Sequence, residues 1–210
     1  QVSLVSIDEM VAKGMGRAVT VGAFSTGIVG GGAGTILDLD QPELAIGVPS
    51  GYCIRPLYIF CQVQTGLAAT DNDENEILFA VDSKGLWSGD GTFTAEEPSN
   101  LRSDLFAGSA CRVGSAFTAD MTTTQPGVTA ADPILDMELD REVKTYEIEG
   151  TATSTHWDRG VTLHYEPSYP PFLAGPCTLI VYFGGTVANI GGFVQVHWVE
   201  GRRNELLPPL

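Results

Sequence analysis

Oxygen-bearing side chains at alternate positions from Asp71 onward are the closest match in the chain to a metal-binding motif. Asp71, Asp73 and Asn75 fit the first ligand positions of a calcium loop, because Ca²⁺ prefers carboxylate and amide oxygens. The sixth position of such a loop needs glycine but is Glu76 here, and the twelfth is Asp82 rather than glutamate. We therefore predict a solvated hairpin loop, with Asp71, Asp73 and Asn75 as candidate ligands for Ca²⁺ or another hard cation.

The histidines, serines and glycines do not occur at the spacings that catalytic or cofactor-binding motifs need. His156, His164 and His197 form no HxH, HxxxH or HExxH pattern, so a cupin-type or zincin metal centre lacks its ligands. No GxSxG nucleophile elbow occurs. The run GIVGGGAGT lacks the lysine of a phosphate-binding loop and the third glycine of a dinucleotide-binding turn. We expect no catalytic residue, no resident cofactor and no enzymatic activity.

Four acids follow one face of a predicted strand at 135–143. Alternation predicts that Leu135, Met137 and Leu139 face inward, opposite an outward row of Asp136, Glu138, Asp140 and Glu142. Acids about 6.6 Å apart along a strand repel one another unless Arg, Lys or solvent lies near them. We predict an exposed sheet face; the alternative is a salt-bridged or cation-mediated contact between subunits. A carboxylate pair for glycoside hydrolysis would need two acids at a set distance across a cleft, which a sequence alone does not show.

Two of the three tryptophans lie near predicted turns, where an exposed indole could stack on a sugar ring. Trp87 and Trp157 are these two, whereas Trp198 falls on the core face of its predicted strand. A place at the edge of the core or in a subunit interface is the more common role for such residues. We predict that role, and keep an aromatic sugar platform as the alternative.

The four cysteines indicate buried free thiols. Cys53, Cys61, Cys111 and Cys177 form no CxxC pair, and each has apolar neighbours in the sequence. Cys53 and Cys61 would lie about 26 Å apart on one strand, too far for a bond. A Cys111–Cys177 bridge stays open as an alternative.

The charge balance argues against direct binding of nucleic acid. The chain has 26 acids and 11 bases, which gives a net charge of −15, and no basic patch is visible. Only 18% of its residues are charged, below the roughly 25% of an average soluble domain, so polar uncharged residues that suit contacts between subunits form much of the surface. No apolar run of about 18 residues predicts a transmembrane segment, and the first residues lack a signal-peptide pattern.

Alternating and short apolar runs separated by glycine and proline predict a chain made mostly of strands. The segments RAVTVGAF, TILDLD, ELAIGV, IRPLYIFCQVQ and ILFAVD read as strands, and the region 133–201 continues the pattern. Ser6 and Glu9 form a capping box for a short helix that ends near Gly14. A second short helix is predicted within an excursion at 83–109, ending at Gly108. The prediction is an all-β, two-sheet antiparallel β-sandwich with jelly-roll topology and one or two short helices in loops.

The parity of two strands predicts which residues form the core. Leu57, Ile59, Cys61 and Val63 share one face of the strand at 54–64, and Val194, Val196 and Trp198 share one face of the last strand. Beyond Val143 the apolar parity changes, which predicts a bulge or turn near Arg141–Thr145.

The order of these segments resembles that of viral single jelly-roll capsid proteins. The resemblance rests on IRPLYIFCQVQ, on VTLHYEPSYPPFLAGPCTLIVYFGG and on the closing GGFVQVHWVEG. It implies an N-terminal arm with a short helix (1–16), a jelly roll (17–201) and a C-terminal tail (202–210), with the tails docking on neighbours. It further implies a major capsid or capsid-associated subunit of an icosahedral virion, whose partners are copies of itself and other capsid proteins. The basic arm of many small viruses is missing, since residues 1–20 hold only Lys13 and Arg17.

Two other classes of protein fit the same strand pattern. One is a secreted, extracellular carbohydrate-binding β-sandwich that uses Trp87, Trp157 and nearby tyrosines. The other is a β-sandwich glycan hydrolase with dispersed acids. Self-association separates the capsid class from both, because a glycan-binding module would be a monomer that binds polysaccharide.

Overall fold

The computed structural model of the chain describes residues 6–22, 28–29, 37–64, 72–87, 89–106, 108–125, 127, 130–147, 160–185 and 191–206. Two short helices lie near its two ends, α1 (Ile7–Ala12) and α2 (Arg203–Leu206). Eight main strands carry the fold: β1 (Gly16–Val21), β3 (Leu44–Val48), β4 (Tyr52–Gln64), β5 (Asn72–Asp82), β11 (Met137–Glu147), β12 (Val161–Tyr165), β14 (Cys177–Gly185) and β15 (Gly191–Arg202). Seven shorter strands accompany them: β2 (Ile28–Val29), β6 (Leu86–Trp87), β7 (Thr94–Glu96), β8 (Ser99–Asn100), β9 (Arg112–Ser115), β10 (Thr123–Thr124) and β13 (Leu173–Ala174).

The main strands form two antiparallel sheets in jelly-roll order. The first sheet runs β12-β4-β15-β1-β8, and the second runs β11-β5-β14-β3-β9-β7. When the eight main strands are numbered in chain order, the first sheet reads 1-8-3-6 and the second 2-7-4-5. Chain neighbours among them therefore alternate between the sheets for most of the chain, which is the double Greek key of a jelly roll. The predicted fold class is confirmed.

The core lies between the two sheets. Val194, Val196 and Trp198 of β15 are buried there as predicted, each with no exposed area. Ile59, Cys61 and Val63 of β4 face them in the same cluster.

Leu57 departs from this pattern, because β4 has a bulge at that residue. Pro56 pairs with Trp198 and Tyr58 pairs with His197, so Leu57 is an extra residue with no direct partner on β15. An extra residue reverses the side-chain parity of a strand. Leu57 consequently packs outside the core, beside α1 and α2, and its predicted place in the core is wrong.

A second bulge, at Leu139 in β11, changes the predicted faces of that strand. Glu138 pairs with Ala80 and Asp140 pairs with Phe79, so the parity changes here and not near Arg141–Thr145. Met137 is 36% exposed, although the alternation put it in the core. Leu139 itself is partly buried against the core. β11 is an edge strand of the second sheet, where such irregularities are common.

Residues 83–136 form an excursion that connects β5 to β11. Its strands β7 and β9 extend the second sheet, β8 joins the first, and other side chains of the excursion cover part of the outer face of the second sheet. Trp87, Phe117 and Met121 of this excursion pack on Ala80 and Tyr182 in a buried cluster separate from the core. Two buried polar side chains of the sheet hold the excursion in place, Asp82 and Thr178.

Asp82 and Thr178 each bind several groups of the excursion. Asp82 accepts hydrogen bonds from the N–H groups of Lys84, Gly85 and Ile134 and from the hydroxyl of Thr123. The Thr178 hydroxyl accepts from the Trp87 N–H and donates to the Gly85 carbonyl, both at 2.8 Å. These bonds satisfy backbone groups that would otherwise be buried without partners.

Three predicted elements differ from the structure in the described residues. No helix occurs within the described part of 83–109, because Ser99 and Asn100 form β8 and the Asn100 side chain accepts from the Arg102 N–H. The predicted strand TILDLD is a turn at its described end, where Asp38 accepts from the Asp40 N–H. The predicted loop at 72–76 is part of β5.

Both helices pack on one end of the first sheet. Ser6 caps α1 by accepting from the Glu9 N–H, as the capping box predicted. Met10 of α1 and Leu206 of α2 are buried with Val199 and Cys53 on the outer side of that sheet. No helix in the described residues has the length and apolar character needed to cross a bilayer.

Candidate functional site

The proposed cation ligands do not come together in the described residues. Asp71 lies outside them, and the predicted hairpin loop is wrong for 72–76 because Asp73 and Asn75 belong to β5. Asn75 is 1% exposed, and its cross-strand neighbour is Lys144. Within the described ranges, no group of three His, Cys, Asp or Glu side chains is placed to hold a metal ion.

The four acids predicted to share one face of a strand do not do so. The bulge at Leu139 places Glu138 beside Ala80 and Asp140 beside Phe79, which face opposite sides of the second sheet. Arg141 bridges Glu76 of β5 at 2.6 Å and Glu138 of its own strand at 2.9 Å, so one arginine offsets the repulsion between these two acids. Burial raises the pKa of Glu76, although the Arg141 guanidinium opposes that shift. Burial also acts to raise the pKa of Asp136, but its hydrogen bonds from Ser83 outweigh this and leave the pKa lowered.

Trp87 cannot serve as a sugar platform, because it is 1% exposed. Its indole N–H donates to the Asp90 carbonyl, and its ring packs edge-on against Phe93 and Phe117. Trp198 lies in the core as predicted, and Trp157 lies outside the described residues. The hypothesis of a carbohydrate-binding protein therefore loses one of the two tryptophans on which it rested.

The four cysteines are buried free thiols, as predicted, and no Cys111–Cys177 bridge forms. Burial raises the pKa of Cys53 to about 11 and that of Cys177 to about 12. Thiols with such pKa values stay protonated near neutral pH, so they do not act as nucleophiles.

The most distinctive surface of the described residues is the outer face of the first sheet beyond the part that α1 and α2 cover. The registers of β1, β15, β4 and β12 place ten side chains on it, because directly paired residues in antiparallel strands share a face. We call this surface the open aromatic face: Ala18, Thr20, Tyr58, Phe60, Gln62, Thr162, His164, Phe193, Gln195 and His197. Each of these side chains is half-buried or exposed.

Aromatic and imidazole rings from three strands meet at the centre of the open aromatic face. Phe60 of β4 lies 5.4 Å from Phe193 and 6.4 Å from Tyr58, measured between ring centroids. Tyr58 also lies 5.0 Å from His164 on β12 and 5.2 Å from His197 on β15. These distances fall within the range in which aromatic rings attract one another beyond simple burial.

The open aromatic face carries no Asp, Glu, Lys or Arg among its ten residues, in a chain of net charge −15. Burial lowers the pKa of His197, which keeps this imidazole neutral near pH 7. Glu166 lies at the rim of the face, with its Oε2 atom 3.5 Å from the Nε2 atom of His164. The ten residues of the face thus add no carboxylate, ammonium or guanidinium group to the surface of an acidic protein.

Two surface grooves lie near the opposite end of the first sheet. The smaller groove has a volume of about 570 Å³. The charged residues that line it are Lys13, Arg17, Arg202, Glu200 and Glu205. The larger, of about 940 Å³, follows residues 95–113 and carries Phe106, which is 96% exposed, at its side. Charges of both signs in the first groove leave it without a clear preference for an anion or a cation.

The sequence indicated the open aromatic face only in part, as the outward residues of two separate strands. Tyr58, Phe60 and Gln62 alternate with core residues on β4, and Gln195 and His197 alternate with core residues on β15. Their meeting depends on the register between β4 and β15, which are more than a hundred residues apart in the chain. A scan of protein-family models and a search of the curated proteins found no match to this sequence.

Proposed function

We propose that the chain is a structural virion protein, which assembles with copies of itself and with other capsid proteins into the shell of an icosahedral virus. The observation that carries the proposal is the strand order, 1-8-3-6 in one sheet and 2-7-4-5 in the other. Viral capsid proteins are one of the main groups that use this jelly roll, with lectins and cupins as others. The metal centre of a cupin has no counterpart in the described residues.

The distribution of polar contacts supports a rigid building block. The excursion at 83–136 is fastened to the sandwich by Asp82 and Thr178 and, at its other side, by Glu200, which binds Ser109 and the Ala110 N–H. Buried hydrogen bonds and ion pairs of this kind favour one well-defined conformation. A shell needs such subunits, because each contact repeats the same geometry many times.

The charges support a subunit that does not hold the packaged genome directly. Arg17 is buried with Glu200, and Arg102, Arg141 and Lys13 each pair with an acid on this chain. A surface that binds phosphate needs bases directed at the ligand. The proposed shell would therefore rely on other components to neutralise its genome.

Size-exclusion chromatography with light scattering tests the proposal. The purified chain, at concentrations up to about millimolar and near neutral pH, is expected to give assemblies of many subunits in addition to small oligomers. A single species with the mass of one chain, at every concentration and salt, would contradict the proposal.

A carbohydrate-binding β-sandwich is the second candidate, and the open aromatic face is what favours it. Aromatic rings beside Gln62, Gln195 and Thr162 combine stacking with amide and hydroxyl hydrogen bonds, which is the chemistry that sugars require. Calorimetric titration with soluble polysaccharides tests this candidate. Binding by the monomer that is lost in Tyr58→Ala, with Thr118→Ala as an unaffected control, would support it over the capsid proposal.

A further inference from the structure

We infer that the open aromatic face is a contact between copies of this chain, in which the first sheet of one subunit packs on a neighbouring subunit. The inference rests on the proposed function for its partner, and it names the surface through which that partner binds.

The absence of acidic residues from this face favours it as the contact between identical, negatively charged copies. Two chains of net charge −15 repel one another, and facing like charges at close range cost several kcal/mol. A contact can form where the surface is free of acids, and the ten residues of the open aromatic face include none. Charge thus favours a second copy packed here over one packed against the acidic edge strand β11.

Coverage distinguishes the two outer faces of the sandwich. The second sheet has its outer face covered by the chain's own excursion, which buries Leu78, Ala80 and Tyr182 under Trp87 and Phe117. Among the residues that the structure describes, α1 and α2 cover one end of the outer face of the first sheet, around Val199. On the rest of this outer face the rings of Tyr58, Phe60 and Phe193 are half-buried. A neighbouring subunit that packs on them would add a third layer to the two sheets.

The size of the face suits one of several contacts in a shell. Four strands about 4.8 Å apart and about five residues along each give a flat footprint of roughly 300 Å². A stable two-protein complex buries about 800 Å² on each partner, so this face alone predicts weak association. Several weak contacts on one subunit add up in a closed assembly.

Aromatic rings at the centre of the face are suited to carry the energy of the contact. Tyr58 and Phe60 are nearly parallel, with an angle of 11° between their rings, and Phe193 lies beside them. Central aromatic residues surrounded by polar neighbours are typical of the residues that dominate an interface. Gln62, Gln195 and Thr162 supply those polar neighbours.

Sedimentation velocity on two matched variants tests the inference. Gln195→Glu puts a charge on the face with almost no change of shape, and Phe60→Thr removes the central ring while keeping a good strand former. The control Thr118→Glu adds the same charge to an exposed residue of the excursion, on the other side of the sandwich. Circular dichroism and urea unfolding establish that all three variants are folded.

The expected result is concentration-dependent association of the wild type that is weakened roughly tenfold or more in Gln195→Glu and Phe60→Thr and unchanged in Thr118→Glu. Equal association of all four proteins would overturn the inference. If Gln195→Glu still forms shells, the function stands and the inference fails. If the face mediates only a closed dimer, the inference stands and the shell proposal fails. A wild type that stays monomeric and binds soluble β-glucan through this face would overturn both.

Discussion

The buried ion pair of Arg17 and Glu200 ties three parts of the molecule together. Both side chains are 5% exposed, and Arg17 Nε lies 3.1 Å from Glu200 Oε1, in a geometry that makes an ion pair rather than a hydrogen bond. Arg17 also donates to the carbonyls of Gly14 and Gly108, while Glu200 accepts from Trp198. The pair therefore joins the end of α1, the first sheet and the excursion.

Removal of the charge on Glu200 is expected to destabilise the protein strongly. Glu200→Gln keeps an acceptor for Ser109 and Trp198 but leaves the Arg17 guanidinium buried without a counter-charge, a change that costs about 3–5 kcal/mol in buried pairs. Urea unfolding measures the loss. The control Lys13→Gln breaks the exposed pair with Glu9 and should change stability by about 0.5 kcal/mol or less. Equal effects of the two substitutions would contradict the role assigned to the buried pair.

His197 gives the stability of the protein a defined dependence on pH. Burial lowers the pKa of His197 below its ordinary value of 6.5, so the unfolded chain takes up the proton before the folded one does. Its contribution to stability is complete above about pH 6.5 and is lost as the pH falls through the lowered pKa of the folded state. Between pH 7.5 and 5.5 the urea midpoint of the wild type should fall further than that of His197→Gln. Parallel decreases in the two proteins would rule this out.

At the scale of elements, the interlock between β14 and the excursion depends on one hydroxyl. Thr178→Val keeps the shape of the side chain but leaves the Trp87 N–H and the Gly85 carbonyl without their partner. Each unsatisfied buried group costs about 1–3 kcal/mol, so we expect a loss of about 2–6 kcal/mol in the free energy of unfolding. Urea unfolding tests this, with Thr20→Val on the open aromatic face as the matched control. A loss no larger than that of the control would show that the hydroxyl does not hold the excursion.

The alternation of apolar and polar residues predicted correctly the strand faces that no bulge interrupts. β15 follows a regular inward parity from Val194 to Trp198, and the capping box located α1. The bulge at Leu57 was not predicted and the one in β11 was predicted at the wrong residues, because an extra residue is defined only against the partner strand. The helix expected before Gly108 failed for a similar reason, since pairing of β8 with β1 outweighs local helix signals.

The candidate site was predictable only in part. Outward positions on β4 and β15 followed from parity, but the convergence of Phe60, Phe193 and His164 needed the order β12-β4-β15, which no local signal encodes. Trp87 lies in a buried cluster beside the second sheet, and the alternative of an exposed sugar platform fails because the excursion that contains it folds back over that sheet. Proximity to turns in the sequence did not reveal that coverage.

At the scale of the whole molecule, the net charge of −15 predicts that salt promotes assembly. The Debye length falls from about 10 Å at 0.1 M salt to about 3 Å at 1 M, which screens the repulsion between copies while leaving contacts of the uncharged face intact. Light scattering at fixed protein concentration should therefore report larger assemblies as salt increases. Dissociation with increasing salt would mean that ion pairs between subunits dominate the contact. That result would contradict the inference that copies of the chain bind through the open aromatic face.

Negative-stain electron microscopy of the purified chain at about 1 M salt tests whether the chain forms a capsid shell. We expect closed particles of uniform diameter, or the rings and partial shells from which such particles form. Fields that contain only single 22.3 kDa chains, at concentrations where the wild type should associate, would contradict the assignment of this jelly roll to a capsid shell.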